Sequence, residues 1–313
     1  MRPRDRSTGR DLDAALRAFD SKIPLKGIRA MPRRVAFVEQ MLESIRRVRY
    51  VRKIRRMSMS QRRADPNDEL FDPLKAAVFN VAHGDLDEAF WLVFLFVHFG
   101  RHARSGWEYA RDVYGQCGGS QRWDWPHIRT DVAGFRTWLQ ANLTRIQRGT
   151  GHGFGNHRRY VSLDGFKPAG TGAAVATYVD WVGPAGSHSI LFRDVCHRHP
   201  GDPRSAFHEL YRSMSTVASF GRLACFDYLT MVGKLDLAPI EPGSAYLRGA
   251  TGPLGGAKLL FADNSKADIA TADLDGWLKE LDRDLQLDFG MQVLEDSLCN
   301  WQKSPDEFRP FRG

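Results

Sequence analysis

The chain has 313 residues, 42% of them hydrophobic, with 8 Trp and 19 Phe. That excludes a disordered polymer and suffices for one large domain or two modest ones. The net charge of +8 favours a polyanionic partner such as nucleic acid or an anionic membrane surface. The longest apolar run, Ala89–Val97, is too short to span a bilayer and reads as a buried helix.

Cys117, Cys196, Cys225 and Cys299 are widely spaced and form no CxxC pair, so reduced thiols are expected. The opening Met-Arg-Pro-Arg-Asp-Arg carries no apolar leader. Together these predict an intracellular, cytoplasmic protein, nucleoid-associated or in a host's cytoplasm if viral.

In chain order, residues 1–65 are the most basic part and read as an N-terminal helical extension preceding a helical domain over 66–313. Val38, Met41, Ile45, Val48, Val51 and Ile54 recur at spacings of three and four, predicting an amphipathic helix. Its other face carries Arg46, Arg47, Arg49, Arg52, Lys53, Arg55 and Arg56, and Arg62 and Arg63 follow with no acid between. Such a face is either solvated or laid along a phosphate backbone, and the missing counter-charge favours the second.

Asp85 and Glu88 have capping-box spacing ahead of an all-apolar helix. His98 and His102 stand at i, i+4, a metal-capable spacing with no third ligand at a recognisable offset, so packing or hydrogen-bonding roles are expected. No metal or cofactor is assigned. Gly106–Tyr114 and Val132–Ile146 read as helices. The Gly-rich loop Gly149–Gly155 leads into Asn156-His157-Arg158-Arg159-Tyr160, a usual setting for site residues. Ala173–Val182 fits helix or strand equally. Asp194–Arg204, with Pro200 and Pro203, reads as a loop, and Phe207–Gly221 and Leu223–Gly233 as helices.

Residues 244–262 are the most informative. Ser244–Ala250 reads as a short helix, Thr251-Gly-Pro-Leu-Gly-Gly as a tight turn and Ala257–Phe261 as the start of a second helix. That is a helix-hairpin-helix layout. Gly252, Gly255 and Gly256 would let a DNA phosphate approach the backbone, and Lys258 would add a charge.

Three runs, Ala218–Met231, Tyr246–Phe261 and Met291–Lys303, resemble the α-glutamyl/putrescinyl thymine pyrophosphorylase family. Phe154-Gly-Asn-His-Arg-Arg-Tyr and Glu88-Ala-Phe-Trp-Leu-Val-Phe-Leu fit its third clade best, and the similarity covers about residues 25–313. The resemblance implies a mainly α fold, a divergent helix-hairpin-helix DNA glycosylase-like scaffold. It implies double-stranded DNA carrying a modified thymine as substrate, with a small amine replacing the phosphate or pyrophosphate of an activated 5-hydroxymethyluracil. The departing group needs cations, from Arg158 and Arg159 or from Arg222 and Lys258. The ammonium must lose a proton, and Glu295, Asp296 and His157, with Asn156 beside it, are the candidate groups. A flipped base would expose the reacting carbon.

Asp263, Asp268, Asp273 and Asp275 follow the hairpin without the context of a glycosylase's catalytic Asp, which weighs against base excision. A glycosylase acting on a modified pyrimidine and a non-catalytic modified-DNA-binding protein are the competing readings. The amine donor and oligomeric state are left open.

Overall fold

Fourteen α-helices, with no strand among the described residues, make up the computed structural model, which describes residues 2–148, 153–155 and 161–311. The helices are α1 Arg6–Asp20, α2 Met31–Ile54, α3 Pro73–Ala82, α4 Leu86–Phe99, α5 Glu108–Tyr114, α6 Trp125–Ile128 and α7 Val132–Gln147. There follow α8 Thr171–Val182, α9 His188–Arg198, α10 Pro203–Ser213, α11 Arg222–Lys234, α12 Thr251–Ala262, α13 Thr271–Leu285 and α14 Gly290–Trp301. The mainly α expectation holds. Among the described residues, no helix is long and apolar enough to cross a membrane.

The chain forms two compact units, Met1–Arg52 with Glu241–Arg312, and Lys53–Ile240. These boundaries do not coincide with a cut at residue 65, because the N-terminal helices share a core with the C-terminal ones. In this first unit, Leu12, Leu16 and Phe19 of α1 and Leu274, Leu278 and Leu281 of α13 recur at i, i+4, i+7 and are buried. Central to the unit is α14, whose Met291, Val293, Leu294, Leu298 and Trp301 have no solvent exposure. The Trp301 ring meets Phe37 of α2 edge-on at 5.2 Å.

The second unit surrounds α4. Every residue from Ala89 to Leu95 is inaccessible to solvent, as a helix apolar on all sides requires. Ala173–Val182, ambiguous by periodicity, is helical within α8. The predicted loop Asp194–Arg204 shrinks to four residues, because α9 runs on to Arg198 and Pro203 opens α10. Proline needs no N–H partner in a first turn, and the Asp202 carboxylate accepts from Arg204 and Ser205.

Half of the expected capping box forms. Asp85 accepts from the Glu88 N–H at 3.1 Å, but Glu88 turns inward. Its two oxygens lie 2.8 Å from the Tyr114 hydroxyl and 2.6 Å from the Trp125 N–H. Burial pushes this carboxyl up to about 8, so at neutral pH the protonated form dominates.

A folded-state value raised above the unfolded one means that stabilisation is complete below pH 4.5 and is lost as pH rises through 8. The slope reaches about 1.4 kcal/mol per pH unit between those values. Glu88→Gln keeps the shape and removes the ionisation. Chemical unfolding at pH 5 to 9 should show wild-type stability falling relative to E88Q, with the curves parallel if Glu88 does not titrate there.

Candidate functional site

The basic helix is neutralised from within. Arg46 pairs with buried Asp5 at 2.8 Å, Arg47 with Asp296 at 3.1 Å and Arg52 with Asp288 at 2.9 Å. Just beyond α2, Arg55 pairs with Asp236 and Arg62 with Asp68. The absence of local acids therefore misleads, since Asp5, Asp236, Asp288 and Asp296 arrive from distant parts of the chain. Arg49, Lys53 and Arg56 are exposed, with no ion pair among the described residues.

The hairpin expected at 244–262 takes another form. Ser244–Ala250 is not helical, and the run Thr251-Gly-Pro-Leu-Gly-Gly is the first half of α12. Pro253 is tolerated because first-turn N–H groups lack intrahelical partners. A methyl group on Gly256 would overlap the Leu298 carbonyl, and one on Gly252 would sit 2.8 Å from the Cys299 sulfur. These two glycines let α12 press directly onto α14. Gly255 faces open space, its nearest neighbour being Gln302 Oε1 at 3.9 Å. Lys258 is half-buried one turn further along α12.

Glu295 and Asp296 differ in setting. Glu295 is buried in α14, at 3% exposure. Asp296 is half-buried and accepts from the Ser44 hydroxyl at 2.6 Å as well as from Arg47, which ties α14 to α2. Of the downstream aspartates, Asp263 pairs with Arg33 and Asp275 accepts from Ser244.

Asn156, His157, Arg158 and Arg159 lie outside the described residues. The chain on either side of them is firmly held. The Gly155 N–H donates to the Phe99 carbonyl at 2.7 Å, and Gly155 stacks against Gly100 so closely that neither admits a side chain. Phe154 is buried among His98, Phe99 and Tyr109. Beyond the gap, the Ser162 carbonyl accepts from the backbone and hydroxyl of Thr171. The same hydroxyl accepts from His98 Nε2 at 3.0 Å. His102 accepts at Nδ1 from the Ser105 N–H. No group of three or more potential metal ligands occurs among the described residues. Arg222 begins α11, half-buried.

One polar centre escaped sequence reasoning. Asp87 accepts from the backbone N–H groups of His188 and Ser189 and from His188 Nδ1, at 2.7, 3.2 and 3.2 Å. Across the ring, Nε2 lies 2.7 Å from the Tyr178 hydroxyl, which lies 2.8 Å from that of Tyr228. With Nδ1–H on Asp87, the order is Tyr228 to Tyr178 to His188 to Asp87. Burial holds His188 below its ordinary value against the opposing pull of Asp87, and pushes Tyr178 and Tyr228 upward. Tyrosines within apolar helices were the available signal, since a buried hydroxyl demands a partner.

The model of the family described as alpha-glutamyl/putrescinyl thymine pyrophosphorylase clade 3 matches residues 32–313. No curated protein and no solved structure matches the chain.

The packing role of the glycines separates two neighbouring substitutions. Gly256→Ala should destabilise the fold by about 1–3 kcal/mol through overpacking. Gly255→Ala, in open helix, should be neutral or stabilising by up to about 1 kcal/mol. Equal effects in urea unfolding would contradict close α12–α14 packing as the constraint.

Proposed function

The chain belongs to the alpha-glutamyl/putrescinyl thymine pyrophosphorylase family, clade 3, and from that membership we propose that it hypermodifies a thymine-derived base in double-stranded DNA. In the proposed reaction an amine nitrogen attacks the 5-methylene carbon of an activated 5-hydroxymethyluracil. The bond from that carbon to the phosphate or pyrophosphate oxygen breaks, the phosphate or pyrophosphate leaves with the electron pair of that bond, and the amine gives up a proton. The observation that carries the reading is the extent of the family match, over residues 32–313.

Within this reading Arg158, Arg159 and Arg222 meet the departing oxyanion, and His157 takes the proton with Asn156 orienting the amine. Lys258 and Glu295 remain candidates for the same two roles on the other unit's helices. Asp296 is assigned instead to anchoring, because its carboxylate is committed to Ser44 and Arg47. For the phosphate backbone, Arg49 and Arg56 carry the reading, joined by Lys53. Arg46, Arg47, Arg52 and Arg55 act first on the fold.

The activity is tested by incubating the protein with duplex DNA bearing phosphorylated or pyrophosphorylated 5-hydroxymethyluracil and a panel of amino acids and polyamines. Mass spectrometry of the nucleosides should show an amine adduct on the intact nucleoside. Abasic sites instead would identify a glycosylase, and no product with any donor from a folded, DNA-binding preparation would defeat the proposal.

The assignment of the arginines makes a separate prediction. Replacing Arg49 and Arg56 by Gln should flatten the dependence of log affinity on log salt by up to about 0.9 for each phosphate no longer neutralised, with thermal stability unchanged. Asp296→Asn should instead lower stability, by about 1 kcal/mol or more, and leave the salt slope intact. The opposite pattern would return the binding role to the paired arginines.

A further inference from the structure

Between α7 and α8 the second unit carries a short loop, Asp164–Gly170, whose backbone is held at nearly every residue. One Asp164 oxygen accepts from the N–H groups of Phe166 and Lys167, both at 2.8 Å. The Gly165 N–H donates to Gln140 at 3.1 Å, and its carbonyl accepts from Arg136 Nε at 2.9 Å. The Gly172 N–H closes onto the Asp164 carbonyl at 3.2 Å. A methyl group on Gly165 would overlap the Arg136 carbonyl, and one on Gly172 would overlap that of Gly165. The loop is therefore clamped onto α7 and the start of α8.

What it presents is a bare aromatic ring. Phe166 is 55% exposed, and the Arg136 guanidinium lies 5.1 Å from its centroid. Next to it the Lys167 side chain is 68% exposed, with only a 3.9 Å approach to Asp164 as counter-charge. Single exposed hydrophobic residues are ordinary. A ring carried on a clamped backbone, with one cation beneath and another beside, is a more particular arrangement.

We propose that Phe166 is a nucleobase-contacting residue, its ring stacking on a base of the DNA while Lys167 and Arg136 meet the adjoining phosphates. This rests on the DNA-modifying reading above. Every base offers a π-face, so such stacking is sequence-tolerant. Cations beside the ring suit the phosphates on either side of a stacked base. A ring on a clamped backbone loses little backbone freedom on binding. Stacking on a base requires that base, or its neighbour, to leave the duplex stack.

The test uses the full chain and a duplex carrying 5-hydroxymethyluracil with 2-aminopurine placed on either side of it in turn. Anisotropy reads binding, and 2-aminopurine fluorescence reads unstacking. Wild-type protein should bind and raise the fluorescence. Phe166→Ala should bind about tenfold more weakly with no rise, at an unchanged melting temperature because the ring is exposed. Phe166→Trp should restore both signals. Wild-type affinity and fluorescence in F166A would overturn the proposal. Wild-type binding without unstacking would also overturn it, leaving the DNA-modifying reading in place. Absence of binding by the wild type would remove both.

Discussion

Several arginines cannot share one helix face at close range without acids to offset their repulsion, and that electrostatic requirement shapes α2 and everything packed on it. Like charges one helical turn apart are unfavourable, and partial burial deepens the cost. The chain meets the requirement with aspartates remote in sequence. Asp5 serves Arg46, Asp296 serves Arg47 and Asp288 serves Arg52. A pair with a buried member matters more than an exposed one, because removing either partner strands the other. Arg46 with Asp5 is of that kind. The basic stretch is thus first a structural element. The charge that this stretch leaves over for an outside partner is smaller than its own run of cations suggests.

A comparable economy governs the glycines of α12. A missing Cβ serves a phosphate loop and a close helix crossing equally well, and only the neighbouring backbone distinguishes them. Here the neighbour is α14, at Leu298 and Cys299. Gly27 makes a similar approach, a methyl there overlapping the Leu259 carbonyl on the opposite part of α12. Pressed at both ends, α12 is an interior strut of its unit. Any contact it makes with DNA would come through its first turn and Lys258.

Local pattern made the helices legible and left their partners hidden. The three-four spacing of Val38 to Ile54 and the unbroken apolar run Ala89–Val97 each became the expected helix, because burial of a face or of a whole helix is written in adjacent residues. Ser244–Ala250 failed for the converse reason, since Pro242 and Gly243 upstream and Pro253 downstream suit either a short helix or an extended approach. Asp202 with Pro203 starts a helix, although the same residue types suit a loop. For the site, Asp296 and the arginines could be named but not paired, because a salt bridge between residues 249 positions apart leaves no local trace. For the Asp87–His188–Tyr178–Tyr228 line the buried tyrosines are a signal, but their partners, 50 and 101 positions apart, leave no local trace.

That hidden line bears on what the family resemblance means physically. Two of the runs that carry it, Glu88–Leu95 and Ala218–Met231, meet in the second unit, where the Phe94 and Phe220 rings stack at 4.8 Å. Tyr228, from the second run, closes the hydrogen-bonded line to Asp87 just before the first. Buried hydroxyls and an imidazole that must each find a partner fix the relative registers of α4, α8, α9 and α11 more tightly than apolar contact alone. The buried members of these runs therefore build a scaffold. Arg222 stands at the N-terminal end of the helix so fixed. The Phe154–Gly155 anchor, packed on the far end of α4, holds the chain directly ahead of Asn156 and His157. Rigid support of this kind is what a transfer between two bound substrates demands, since a displacement of about 1 Å at the reacting atoms can cost a hundredfold in rate. The polar line thus limits how far α4, α8, α9 and α11 can shift against one another.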